Sequence, residues 1–334
     1  MTDSSNAASA ETDARTLSLD EWLQAMWDAK QRKTLNITYE FPTAEHHKEY
    51  LATISSRSTD EVHLLLRHFL LPGGKLGIDD LHLKSLVADA KANPDFFRAR
   101  MQTGYYFRLV QSVAGTMTGP WEGITWVRDL LPHCPKEALQ ALSAYTLAHA
   151  QFLPDGRLNG LLEAAELIRA KFIGTPESTG ERIDALLDIT PREFEHLVER
   201  LYAAMGYATE LTPATRDGGR DVIATITAPG SRQRLYVECK QYRDPVAVEF
   251  TRALIGVVGV DRATKGVVVT TSDFTPDARK FAAKTDQIEL ITGEELVRLL
   301  NEHLGTEWPL RIDRYVAWSR ARYERSRTGD AETA

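Results

Sequence analysis

Between residues 248 and 304 helix-type and strand-type segments alternate. "VEFTRALIGVVGV" has helical spacing, "KGVVVTT" is rich in β-branched residues, "TPDARKFAAK" is helical, "IELI" is extended, and "TGEE" opens a further helix. An α-then-β alternation of this kind restricts the region to a sheet covered by helices. The near-continuous apolar "GVVV" fits a strand buried on both faces. Upstream, "YATEL", "DVIATIT" and "RLYVEC" are short β-type runs, and "APGS" between the last two reads as a hairpin turn. The expected class is therefore α/β, a mixed β-sheet flanked by helices.

The helix that leads into these strands is the most sharply marked element of the chain. In "DITPREFEHLVERLYAAMGY", Thr190 stands as N-cap, Pro191 at the first helical position and Glu193 three after the cap, which makes a capping box. Ile189 and Phe194 sit where a hydrophobic staple would be. Phe194, Leu197, Val198, Leu201 and Met205 form the core stripe, and Gly206 is placed to end the helix.

Further towards the N-terminus, apolar residues recur at helical spacing from Leu17 to about Phe172, as in "LDEWLQAMWDAK" and "LLEAAELIRAKF". "IGTPESTGERID" has the makeup of an interdomain linker. The expected organisation is a disordered N-terminus at 1–16, a mainly α-helical domain of unknown role at 17–173, a linker at 174–187, an α/β domain at 188–304 and an Arg-rich C-terminal tail at 305–334.

A chain of 334 residues with 43% apolar composition can bury two cores. No apolar run reaches bilayer-spanning length and the N-terminus lacks the features of a signal peptide, so a cytoplasmic location is expected. Cys134 and Cys239 are the sole cysteines, which excludes a disulfide framework or a cysteine-built zinc site. The formal charge of −7 divides into −5 over 1–187, −3 over 188–304 and +1 over 305–334, so net charge does not point to nucleic acid.

Chemistry is concentrated in "RDGGRDVIATITAPGSRQRLYVECKQY". Alternation along "LYVECK" puts Tyr236, Glu238 and Lys240 on one strand face, read as polar, and Leu235, Val237 and Cys239 on the core face. Asp221 opens the preceding strand, so a hairpin could bring its carboxylate beside Glu238. Two converging carboxylates repel unless a cation sits between them, and with oxygen ligands that cation would be Mg²⁺ or Mn²⁺. Such a centre suits phosphodiester hydrolysis, with Lys240 holding or helping to deprotonate the attacking water. Glu195, beside the stapled Phe194, could lean over the sheet towards the same site.

"TPREFEHLVERLYAAMGY", "DGGRDVIA", "VECKQY" and "GVVVTTSDFTPDARKFA", in that order, resemble the Mrr-like catalytic domain of type IV restriction endonucleases, within the PD-(D/E)xK nuclease superfamily. The resemblance covers roughly 188–304. It implies a restriction-endonuclease-like fold and Mg²⁺-dependent cleavage of double-stranded DNA in defence against foreign or modified DNA, with Mn²⁺ as a substitute ion. Asp221 and Glu238 would be metal ligands, Lys240 would act at the water, and Glu195 would be the accessory acid of the first helix. Many relatives carry Gln in place of Glu238, whereas the Glu here matches the wider superfamily. A homodimer is compatible with this reading, and a junction or repair nuclease of the same fold, or a non-cleaving nucleic-acid-binding module, are the rival functions.

Other features have simpler readings. Asp217 is a turn residue beside two glycines with a supporting role open to it, and Gln241 either contacts substrate or finishes the strand. Thr270, Thr271 and Ser272 either meet a phosphate or, the favoured reading, cap the next helix, and Cys239 is expected to be a small buried hydrophobe. "LPGGKLG" at 71–77 is a turn rather than a phosphate loop, since its spacing does not fit. Trp22, Trp27, Trp121 and Trp126 are expected in the core. In "RIDRYVAWSRARYERSR", Arg314, Trp318, Arg320 and Arg322 could grip phosphates and stack bases, or the segment could pack back as a helix on the α/β domain.

Overall fold

The computed structural model describes residues 11–117, 119–213, 220–228 and 231–328. The chain divides into two units, Met1–Gly174 and Thr175–Ala334. Among the described residues, the first unit has no named β-strand and eight α-helices: α1 (Leu19–Trp27), α2 (Ala44–Ala52), α3 (Thr59–Phe69), α4 (Gly77–Ala92), α5 (Pro94–Met101), α6 (Gly104–Val113), α7 (Pro135–His149) and α8 (Asp155–Ile168). Its core is built on Trp22, Tyr50, Phe69, Leu71 and Leu109. Trp121 is also buried, whereas Trp126 is half exposed and so departs from its expected core position. The "LPGGKLG" turn pairs with Trp121 in both directions, Gly74 N–H to Trp121 O at 2.9 Å and Trp121 N–H to Gly74 O at 3.1 Å. Gly74 holds a φ of +119° there, which a side chain would resist.

The second unit contains α9 (Thr179–Leu187), α10 (Pro191–Ala204), α11 (Val248–Asp261), α12 (Pro276–Ala282), α13 (Gly293–Leu304) and α14 (Ile312–Thr328) around five strands. The strands are β1 (Ala208–Leu211), β2 (Val222–Ala228), β3 (Ser231–Lys240), β4 (Lys265–Thr270) and β5 (Ile288–Ile291), in that spatial order. β1, β2 and β3 are antiparallel, while β3, β4 and β5 are parallel. The mixed sheet flanked by helices is therefore as expected.

Helix α10 opens on the Thr190–Glu193 capping box, with Glu193 N–H donating to Thr190 Oγ1 at 3.2 Å and Thr190 N–H to Glu193 Oε2 at 2.9 Å. It ends before Gly206, at φ +92°. Phe194, Leu197, Val198 and Leu201 pack with Val222, Leu235 and Val237 on one sheet face.

Two expectations about neighbouring segments need correction. Residues 174–187 are not a bare linker: Ser178 and Glu181 form a further capping box, which starts α9 and buries Leu186 in the second unit's core. Of the expected tail at 305–334, the described residues, to 328, are not simply a tail. Trp308, Ile312, Tyr315 and Val316 belong to that same core.

The face carrying Tyr236 also differs from its polar reading. Tyr236 packs with Val246, Leu254, Val258, Val268 and Phe274 in a second apolar layer. The reason is topological: β3 and β4 run parallel, the connection between them must cross over, and the crossover helix α11 covers that face. The face stays polar at both ends of β3, at Arg232 and Arg234 on one side of Tyr236 and at Glu238 and Lys240 on the other.

Candidate nuclease centre

The centre lies where β2 begins and β3 ends. Val222 pairs with Val237, so Asp221 stands one residue before the paired register and next to Glu238 on the neighbouring strand. Asp221 brackets that residue: its N–H donates to Val237 O at 2.8 Å, and its Oδ2 accepts from Cys239 N–H at 2.6 Å. On its other side, Thr212 N–H donates to Asp221 O at 3.0 Å. Backbone bonds on both sides thus fix residue 221, and the Cys239 N–H holds its carboxylate.

Asp221 and Glu238 are 7% and 6% exposed. Burying two carboxylates this close together is unfavourable without a cation. Lys240 supplies one, with Nζ 2.8 Å from Glu238 Oε1. The ammonium also lies 4.7 Å from the centre of the Phe250 ring, on α11. Burial alone would lower the Lys240 pKa, but the hydrogen bond and charge of Glu238, with Tyr242 and Asp221 behind them, raise it above the usual lysine value. Lys240 is a cation at neutral pH.

Glu195 approaches from α10, where its Oε2 meets Arg192 Nη1 at 2.5 Å. Cys239 shows how the charges are arranged. Burial pushes its thiol well above the ordinary range, Asp221, Glu195 and Glu238 push it the same way, and Lys240 opposes them. All four charges therefore lie within electrostatic reach of one sulfur, and that thiol is uncharged rather than a nucleophile. Cys239 points to the core cluster of Val237 and Phe194, as expected, though it is only partly buried. Among the described residues, no group of three or more His, Cys, Asp or Glu side chains is placed to hold a metal ion.

The donor set nevertheless fits a hard divalent cation. Asp221 and Glu238 offer carboxylate oxygens, and Mg²⁺ is ordinarily bound by one or two carboxylates with water and substrate phosphates completing its shell. A third protein ligand is not required.

The remaining candidates separate from this group. Gln241 turns its amide back into the unit, donating to Leu186 O at 2.7 Å and Ile189 O at 2.6 Å. It ties the end of β3 to the α9–α10 junction. Asp217 lies outside the described residues. Thr270, Thr271 and Ser272 do not cap α12, which is capped by Thr275. They instead donate to the carbonyls of Lys240, Tyr242 and Asp244, each at 2.8 Å, and so hold the chain that leaves β3.

Arg320 and Arg322 face α10, with Arg320 Nη2 3.3 Å from Glu193 Oε1 and Arg322 Nη1 3.4 Å from Glu199 Oε1. Trp318 is half exposed beneath the Arg200 guanidinium, 5.4 Å from its ring centre, and Arg314 lies on the same helix. The packed-helix arrangement is the one observed.

Three residues near the centre escape a reading of the sequence. Arg192 could have been found from its i, i+3 spacing to Glu195. Phe250 and Arg220 could not. Arg220 stacks 4.5 Å from the Tyr236 ring centre and pairs with Asp261 at 2.7 Å, contacts that depend on the folded position of α11.

Residues 186–300 match the family model Mrr_cat, described as a restriction endonuclease. The second unit carries an Mrr-like restriction-endonuclease domain. The Mrr-like domain contains every residue of the candidate centre and ends before α14 begins. The chain is 31% identical over 128 residues to the type IV methyl-directed restriction enzyme EcoKMrr of Escherichia coli (strain K12), covering 37% of this chain and 42% of that protein. It is 33% identical over 97 residues to the uncharacterized protein y4cE of Sinorhizobium fredii (strain NBRC 101917 / NGR234), covering 28% of this chain and 25% of that one. The chain thus spans less than half the length of these relatives.

Two solved structures align with part of the chain. The DNA modification-dependent restriction endonuclease AspBHI is 23% identical with a TM-score of 0.38, over 44% of this chain and 41% of that one. The MspJI restriction endonuclease in complex with a 27-mer oligonucleotide is 20% identical with a TM-score of 0.34, over 45% and 38%. No helix among the described residues is long and apolar enough to cross a membrane.

Proposed function

We propose that the protein is a Mg²⁺-dependent endonuclease that hydrolyses phosphodiester bonds of double-stranded DNA, in defence against foreign or modified DNA. The observation that carries this reading is the pairing of two buried carboxylates, Asp221 and Glu238, with the Lys240 ammonium at one end of the sheet of an Mrr-like domain. A structural ion pair has no use for a second buried carboxylate beside it. A phosphoryl-transfer centre does.

Asp221 and Glu238 would hold the ion. Mg²⁺, or Mn²⁺ in its place, would supply a more acidic water and a counter-charge for the phosphoryl oxygens. Asp221 brings a carboxylate held by the Cys239 N–H on a backbone bonded to both sides, so its position costs little reorganisation during reaction. Lys240, cationic and bonded to Glu238, is a donor rather than a proton acceptor in this state. It is suited to orient the attacking water and to neutralise charge that develops on the phosphate. Glu195 stands on the α10 side as an accessory acid, oriented by Arg192.

The test is cleavage of matched unmodified, methylated and branched DNA by the purified chain, with and without Mg²⁺. Metal-dependent cutting with a preference for methylated duplex supports the defence reading. Preference for the branched substrate would move the protein to repair, and no cutting of any substrate in any ion would refute the endonuclease assignment.

A further inference from the structure

We propose that helix α14 serves the cleavage centre as well as the core: Tyr323 holds the Arg192 guanidinium, and Arg192 positions the Glu195 carboxylate. This rests on the endonuclease reading and extends it to a segment outside the matched domain, since the match ends at residue 300 and α14 begins at Ile312.

An arginine–carboxylate pair at i, i+3 on an exposed helix is worth little, because the arginine samples many rotamers. This pair is restricted on two sides. The Arg192 and Glu195 side chains are 25% and 19% exposed, and the guanidinium lies 5.0 Å from the centre of the Tyr323 ring. Tyr323 is itself fixed. Its ring meets His196 edge-on at 6.1 Å and packs against the core of the second unit.

The seam that seats α14 on α10 has polar contacts along its length. His196 Nδ1 and Ser319 Oγ are 2.8 Å apart in a buried pair, and the Glu193–Arg320 and Glu199–Arg322 ion pairs flank it. Movement of α14 would therefore carry Tyr323 with it. The planar guanidinium can lie on a ring face and present N–H groups to a carboxylate at once, which a lysine ammonium cannot do in the same geometry. At the far end, Phe194, the residue before Glu195 on α10, shares a core cluster with Val237, the residue before Glu238 on β3. Tyr323 and Arg192 are thus positioning residues for the α10 side of the centre.

The experiment compares the full chain with its Tyr323→Phe, Tyr323→Leu and Arg192→Lys variants. Three quantities are read: the single-turnover cleavage rate at saturating DNA, DNA affinity without divalent metal, and the ¹⁵N–¹H signal of the Arg192 side-chain Nε–H. Tyr323→Leu should lower the rate about tenfold or more with affinity unchanged, the pattern of a misplaced group rather than lost binding. Its Arg192 signal should shift to that of a solvated arginine.

Tyr323→Phe keeps the ring face and should keep both rate and signal. Arg192→Lys should lose rate while remaining folded, so the test survives if Tyr323→Leu does not fold. Wild-type rate and an unmoved Arg192 signal in Tyr323→Leu would overturn the proposal, as would equal damage in Tyr323→Phe. Lys240→Ala serves as the reference. If it and the wild type are equally inactive, the endonuclease reading fails, and the Arg192 signal alone still decides whether Tyr323 holds the guanidinium.

Discussion

Both units bury carboxylates, and they treat them differently. In the first, Asp79 is wholly buried and accepts from Leu76 N–H at 2.6 Å, Tyr105 O–H at 2.7 Å and Trp121 Nε1–H at 3.0 Å. Its donors are neutral and come from three separate segments, so the carboxylate pins α4, α6 and the Trp121 strand-like turn together. In the second unit, Asp221 and Glu238 are buried on neighbouring strand ends, with the Lys240 ammonium bonded to Glu238. Neutral donors gathered around one carboxylate make a structural fastener. A second carboxylate and an ammonium at the edge of a sheet make a place for a cation and a phosphate.

The comparison breaks most visibly if Lys240 is replaced. Lys240→Ala should reduce cleavage about a thousandfold or more, the scale expected when a charged transition-state donor is lost, while DNA binding persists. Plasmid nicking by the folded variant checks this, and wild-type rates would put Lys240 outside the chemistry.

Asp79→Ala should act in the opposite sense. Several buried donors lose their acceptor, at about 1–3 kcal/mol for each one left unsatisfied. Urea unfolding should show the first unit weakened, with cleavage by the folded fraction unchanged. A variant as stable as the wild type would mean that Asp79 is not a fastener.

The smallest effect concerns pH. His196 is held neutral by burial and by the charges of Arg192 and Arg320, its pKa pushed down to about 3. The unfolded chain takes up this proton first, so the stability that the neutral imidazole contributes is present above pH 6.5 and is lost as pH falls from there towards 3. His68 does the same in the first unit, where burial and the Arg32, Arg67, Arg157 and Arg128 charges hold it at about 4. Hydrogen exchange between pH 4 and 7 should show acid weakening of α10 that His196→Gln reduces, without change around His68. Equal slopes with and without His196 would contradict it.

Much of the second unit was legible because local signals agreed. The Thr190–Glu193 and Thr292–Glu295 capping boxes, the glycine stop at 206 and the apolar run in β4 each specify one element, and alternation in β3 placed Glu238 with Lys240. The polar reading of the Tyr236 face was wrong because alternation tells which residues share a face, not what covers it, and α11 covers it from another part of the chain. The α9 capping box was hidden by "GTPEST", whose linker composition outweighed the Ser178–Glu181 spacing. The arginine-rich end was ambiguous for a related reason. Its Ile312, Tyr315 and Val316 have the i, i+3, i+4 spacing of any packed helix, and only the fold supplies Glu193 and Glu199 as partners for Arg320 and Arg322. In the first unit, the role of Asp79 depends on Tyr105 and Trp121, too far along the chain for any local pattern to join them.

The central claim is that Asp221 and Glu238 are buried together for a metal. It is tested most directly by melting the wild type and Asp221→Asn in EDTA, Mg²⁺, Mn²⁺ and Ca²⁺, alongside plasmid cleavage in each ion. Ligand binding to the folded state alone raises its melting temperature, so Mg²⁺ and Mn²⁺ should stabilise the wild type. Asp221→Asn can still accept from Cys239 N–H through its amide oxygen. It should keep the fold, melt at or above the wild type in EDTA because one repelling charge is gone, and lose both the metal shift and cleavage. Ca²⁺ should bind with little turnover, since its looser coordination positions water poorly. Wild-type cleavage that persists in excess EDTA, or an Asp221→Asn variant with full Mg²⁺-dependent activity, would contradict the account.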